Sequence, residues 1–154
     1  MTRNGQRLQR LLAIRRMAEE LDRRTMTLAL TAVAEIETAL GVQRAALLEA
    51  KQLAHAALSA GDRGEWLMAD AQSEVAGWNR GRLDVLLRTR AVEVSPATEQ
   101  FLKSRREHEQ VKLLVQDAQQ AAQVEDDRKL QAAADDWFLS KRIRMARHTI
   151  VNHS

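Results

Sequence analysis

The sequence predicts an all-α fold: a long antiparallel two-helix coiled-coil hairpin with a helical tip. Three observations carry that expectation. The 154 residues include one Pro, six Gly, no Tyr and only 3% aromatic side chains, against 25 Ala and 29% charged residues. This is the composition of long helices, poor in the β-branched and aromatic runs of sheets. Apolar residues recur at steps of three and four from Leu11 to Ala57, as in a coiled-coil seam. Strong boundary signals are few, and the clearest fall at Gly61-Asp62 and Ser95-Pro96. The whole of 1–154 therefore reads as a single coiled-coil domain.

The first long helix is expected over 7–60. Its seam runs Leu11, Ile14, Ala18, Leu21, Thr25, Leu28 and Ala32, then takes two successive four-residue steps to Ile36 and Leu40. That double step is a stutter, which locally unwinds a supercoil. The seam resumes at Gln43, Leu47, Ala50, Ala54 and Ala57. Gly61 stops the helix, and Asp62 followed by Glu65 has capping-box spacing. A helical connector, 61–96, follows. In it Leu67, Ala71, Val75, Trp78 and Leu86 share roughly one face, and Trp78-Asn79-Arg80-Gly81 marks a break.

Ser95-Pro96 reads as an N-cap followed by Pro at the first helical position. The second long helix spans 97–147, striped by Val111, Val115, Ala118, Ala122, Leu130, Ala133 and Trp137, and leaves a tail at 148–154. At ~1.5 Å per residue the two rods are ~80 and ~75 Å long. Nearly equal rods joined by a helical tip imply an antiparallel hairpin with paired termini, which brings residues 18–21 near 133–145. An Ala-rich seam buries little area, so the rod is expected to be marginal alone. Leu12, Met17, Met26, Leu30, Val33, Leu48 and Leu58, all off that seam, suggest a second face for a partner.

Charge is distributed in blocks. Residues 1–24 carry net +4, 107–136 net −5 and 137–154 net +4. Arg15-Arg16 and Arg23-Arg24 are candidates for phosphate backbone, an anionic membrane or an acidic protein. Acids at Glu19, Glu20 and Asp22 interrupt the basic run, and no aromatics interleave for base stacking. A protein partner is therefore favoured over nucleic acid, and membrane association is expected only through protein partners.

Chemistry is not legible. With no Cys there is no disulfide scaffold, thiolate zinc site or cysteine nucleophile. Phosphate-loop, dinucleotide, HExxH and GxSxG motifs are missing from the sequence. His55, His108, His148 and His153 lack metal-site spacing, and Glu107-His108-Glu109 reads as a solvated helix surface. No catalytic residue, metal or cofactor is expected. No apolar run approaches the ~18 residues of a membrane span, and Leu11-Leu12-Ala13-Ile14 is too short for a signal-peptide core. The Arg-rich start is poor in Ser for a transit peptide, its first Ser being Ser59. The three Trp, at positions 66, 78 and 137, fit either core filling or binding hot spots.

Two stretches carry a family resemblance. Arg7-Leu8-Gln9-Arg10-Leu11-Leu12-Ala13-Ile14-Arg15 followed by Glu19-Glu20 is similar to the N-terminal helix start of the FliJ/YscO family of type III secretion stalk proteins. Asp135-Asp136-Trp137-Phe138-Leu139-Ser140-Lys141-Arg142 resembles its injectisome branch more than its flagellar one. The resemblance implies a cytoplasmic, non-enzymatic stalk. Its paired termini would enter a hexameric secretion ATPase, its tip would face an export-gate protein, and secretion chaperones would be further partners. Mapped onto this chain, the ATPase end would hold Leu12, Arg15, Arg16, Trp137, Phe138, Arg142 and Arg144. The gate end would hold Trp66, Leu67, Trp78 and Leu86. A nucleic-acid-associated coiled coil and a self-assembling structural coiled coil are the alternatives.

Overall fold

The computed structural model describes residues 2–151. Among them the chain forms two helices, α1 (Arg3–Ala60) and α2 (Arg63–Val151), and no strand. The fold is an all-α helical hairpin. It divides into two compact units: Arg16–Arg106, which holds the reversal, and the described residues up to Arg15 together with those from Glu107 onward.

Only Gly61 and Asp62 separate the helices. Gly61 has φ of 71°, a left-handed conformation that a Cβ disfavours. Its N–H donates to the Leu58 carbonyl at 3.2 Å, and the Asp62 N–H donates to the Ala57 carbonyl at 3.0 Å. These are the two bonds of a Schellman motif, and they satisfy the last carbonyls of α1. Asp62 then caps α2: its carboxylate accepts from the Glu65 amide at 3.1 Å, and its carbonyl accepts from Trp66 at 3.1 Å. Asp62 thus closes one helix with its amide and opens the next with its oxygens. At the other end of α1, the Thr2 hydroxyl accepts from the Gly5 amide at 3.1 Å, so α1 starts at Arg3 and not at residue 7.

The segmentation of the second half differs from the sequence expectation. Residues 63–96 of the expected connector are the first part of α2, which continues through Trp78-Asn79-Arg80-Gly81 and through Ser95-Pro96. A Gly inside a helix costs only about 1 kcal/mol against Ala. Pro96 removes one amide and so deprives only the Val92 carbonyl, which lies on an exposed turn where water reaches it. Residues 148–151 of the expected tail also belong to α2, and 152–154 lie outside the described residues.

Burial defines the seam. On α1 every position in the series Gly5, Leu8, Leu12, Arg15, Glu19, Asp22, Met26, Ala29, Val33 and Ile36 is buried or half-buried, and so is every position in its continuation Leu40, Gln43, Leu47, Ala50, Ala54 and Ala57. These steps alternate three and four without interruption, so there is no stutter. The sequence reading is correct from Ile36 onward and one residue out of phase before it. Leu11, Ile14, Leu21, Thr25 and Leu28, expected inside, are exposed, while Leu12, Met26 and Val33, expected outside, sit in the seam. A continuous helix transmits its phase. In the unit Arg16–Arg106 the apolar positions nearer the reversal, Ile36, Leu40, Ala50 and Ala57, set a rotation that carries Glu19 and Asp22 inward.

On α2 the buried or half-buried positions include Trp66, Ala69, Ser73, Ala76, Leu83 and Leu87, then Val94, Ala97, Phe101, Ser104, His108, Val111, Val115 and Ala118. The face expected from Leu67, Ala71, Val75, Trp78 and Leu86 is exposed instead. Small residues at Ala50, Ala54, Ala57, Ala69 and Ala76 occupy the seam near the reversal and leave no room there for the larger side chains.

Two contrasts test this description. Leu40 is 2% exposed and Leu21 is 62% exposed. Leu40→Ala is expected to cost about 2–4 kcal/mol in denaturant unfolding, and Leu21→Ala less than about 0.5 kcal/mol. Gly61→Ala is expected to destabilise by about 1–2 kcal/mol because of its positive φ. Gly41→Ala, helical and facing open space, is expected to stabilise by up to about 1 kcal/mol.

Candidate functional site

In the unit Arg16–Arg106 the seam contains a polar cluster. The Ser104 hydroxyl donates to the Asp22 carboxylate, and Gln100 Nε2 donates to the same carboxylate at 3.3 Å. Glu19, 9% exposed, accepts from Arg23 at 3.2 Å, and the Arg23 guanidinium lies 5.5 Å from the Phe101 ring centroid. Among the described residues no buried side-chain N or O atom lacks a hydrogen-bond partner. The cluster is therefore satisfied and avoids the desolvation penalty of orphaned polar groups.

In the other unit Arg15 Nη1 donates to Glu107 Oε2 at 2.6 Å, with both side chains partly exposed. Glu107 and His108, expected on a solvated surface, are half-buried. The signal for them was present in α2: stepping back from Val115 and Val111 by threes and fours gives 108, 104 and 101. Leu8 and Gly5 line a groove with Val115 and Ala118, and from Gln119 to Val151 every residue is exposed.

The expected ATPase-end residues are not assembled. Leu12 is half-buried in the seam, Arg15 is engaged with Glu107, and Arg16, one position on, faces outward. Trp137, Phe138, Arg142 and Arg144 lie on the exposed stretch of α2, about 45 Å along the helix from Glu107 at ~1.5 Å per residue. Within this unit α1 begins beside Val115 and Ala118, so its first residues do not lie beside 137–151, and in the unit Arg16–Arg106 Asp22 bonds to Gln100 and Ser104. Trp137 and Phe138 form an edge-to-face pair with centroids 5.1 Å apart, and Lys141 Nζ lies 5.0 Å from the Trp137 centroid.

Of the expected gate-end residues, Trp66 is half-buried at the reversal, where it lines a groove with Ala57, Leu58 and Gly61. Leu67 is exposed beside it. Trp78 is exposed beneath the Arg82 guanidinium, 5.0 Å from its centroid, and Leu86 lies farther along in a shallow groove with Ala39, Gln43 and Leu83. One window of α1 is long and apolar enough to cross a membrane by length and hydropathy alone, contrary to the sequence expectation, and 11% of it is buried. Between Arg24 and Arg44 the only charges are Glu35 and Glu37. No group of three or more His, Cys, Asp or Glu that could hold a metal ion occurs among the described residues. No family model, curated protein or solved structure matches the chain.

The register makes a direct test simple, since the chain has no native Cys. Asp22→Cys with Ser104→Cys is expected to oxidise readily to an intrachain disulfide, detected by mobility on non-reducing gels. Arg15→Cys with Trp137→Cys is expected to give no intrachain bridge.

Proposed function

We propose that the chain is a non-enzymatic adaptor that works as a stalk in a type III secretion apparatus, at the cytoplasmic face of the membrane. In this reading α2 reaches into a hexameric secretion ATPase through Trp137 and Phe138, with Arg142 and Arg144 as a basic collar. The reversal, with Trp66 and Leu67, faces an export-gate protein. Trp78 and Leu86 lie on the exposed flank available to the gate or to secretion chaperones.

The observation that supports the reading best is the exposed aromatic pair. Trp137 and Phe138 are 58% and 60% exposed on a helix stretch that is exposed from end to end. Trp is strongly favoured where one side chain anchors an interface, and basic residues around it steer an acidic partner. The hairpin supplies reach without chemistry, which suits a rod between two machines. The likeness of the nine residues 7–15 and of the Asp-Asp-Trp-Phe stretch supplies the family direction.

Binding and stimulation of ATP hydrolysis by a purified secretion ATPase test this. Trp137→Ala with Phe138→Ala is expected to weaken binding by more than ~2 kcal/mol with helical content nearly unchanged. Arg142→Glu with Arg144→Glu is expected to slow association and to reduce its salt dependence. Normal stimulation by both variants removes this stretch as the docking site, and failure of the wild-type chain to bind any such ATPase removes the stalk assignment.

A further inference from the structure

We infer that in solution residues 122–151 of α2 pair with the same segment of a second copy of this chain, antiparallel, about a two-fold axis near Trp137. It does not rest on the stalk reading, and because both use Trp137 and Phe138, pairing and ATPase docking through that pair exclude one another. Three features of the segment carry it. It is a continuous helix, exposed throughout. A helix stretch packed against nothing gains no tertiary burial, from which most helical stability in proteins comes. It also leaves Val124, Leu130, Trp137, Phe138, Leu139 and Ile143 exposed.

The charges select the occupant. Glu125, Asp126, Asp127, Asp135 and Asp136 against Arg128 and Lys129 give 125–136 a net −3. Lys141, Arg142, Arg144 and Arg147 with no acid give 137–151 a net +4. A helix built as an acidic block followed by a basic block is complementary to itself when reversed. Two antiparallel copies set each acidic block against the other's basic block, whereas two parallel copies stack like charge on like. The arrangement is isologous, the same segment serving both sides, as closed two-fold dimers require.

The midpoint between the blocks falls at about residue 137. The aromatic pairs of the two copies therefore meet at the centre, where interface energy concentrates, and the charged blocks flank them on both sides. An overlap of 122–151 is about 45 Å long at ~1.5 Å per residue, comparable to an ordinary two-stranded coiled coil.

The test is sedimentation equilibrium on the full chain. A dimer is expected that dissociates as salt is raised. Reversing the basic block, Lys141→Glu with Arg142→Glu and Arg144→Glu, and separately the acidic block, Asp126→Lys with Asp127→Lys, Asp135→Lys and Asp136→Lys, is expected to weaken self-association at least about tenfold each. Mixing the two variants is expected to restore a dimer, now of unlike chains. Orientation is read from single cysteines: Trp137→Cys is expected to cross-link between copies. Asp126→Cys is expected to do so only when mixed with Arg147→Cys. A monomeric wild-type chain, a dimer indifferent to both charge reversals, or ready cross-linking of Asp126→Cys to itself would each overturn the proposal.

Discussion

The two-residue reversal at Gly61-Asp62 governs what every other residue meets. A hairpin joined by so short a link has no slack, so the pairing of α1 with α2 is counted outward from it. Ala57 shares a groove with Trp66, Gln43 shares one with Leu83, and Asp22 bonds to Gln100 and Ser104. The link is held by a left-handed Gly and by an Asp whose amide serves one helix and whose oxygens serve the next. Replacing either would loosen the count as well as the turn.

From that constraint follows the polar stretch of the seam. Judged locally, Leu11, Ile14, Leu21 and Leu28 make a better apolar stripe than Leu12, Arg15, Glu19 and Asp22. The helix cannot choose locally, because its rotation is already set where Ile36 and Leu40 are buried. The partner strand of the seam agrees with the outcome: α2 offers Gln100, Ser104 and Glu107, which satisfy acids and an Arg and would have left leucines against polar groups. Partly buried polar pairs of this kind contribute little net stability, but slipping the register by one residue would separate them. Their residual value is to make one pairing of two Ala-rich helices better than its neighbours.

Much of the architecture was legible in the sequence because helix period, Gly61 and the Asp62 cap are local signals. The seam was legible where it is mostly apolar, from Ile36 to Ala57. It was misread before Ile36 because the apolar stripe passes over Arg15, Glu19 and Asp22, whose placement depends on residues about eighty positions away. Pro96 misled for the opposite reason: its local signal is strong, but an exposed helix turn tolerates the loss of one hydrogen bond. The candidate residues were found individually, as Trp137 and Phe138 are indeed exposed together. What sequence could not supply was their placement, since equal rod lengths rested on the misplaced turn.

The shared Asp62 also shapes how the chain acquires its structure. Loop closure between the helices is met once, at a link of two residues, where its entropy is smallest. Contacts nearest the reversal, such as Ala57 beside Trp66, are close in sequence, and those farther out have steadily greater sequence separation. On the ribosome this has an awkward corollary. The whole of α1 emerges before Trp66 exists to pair with it, and Leu11, Ile14, Leu21 and Leu28 stand on one flank of that nascent helix. For the time needed to synthesise the matching part of α2, the chain presents the kind of amphipathic helix that holding chaperones bind.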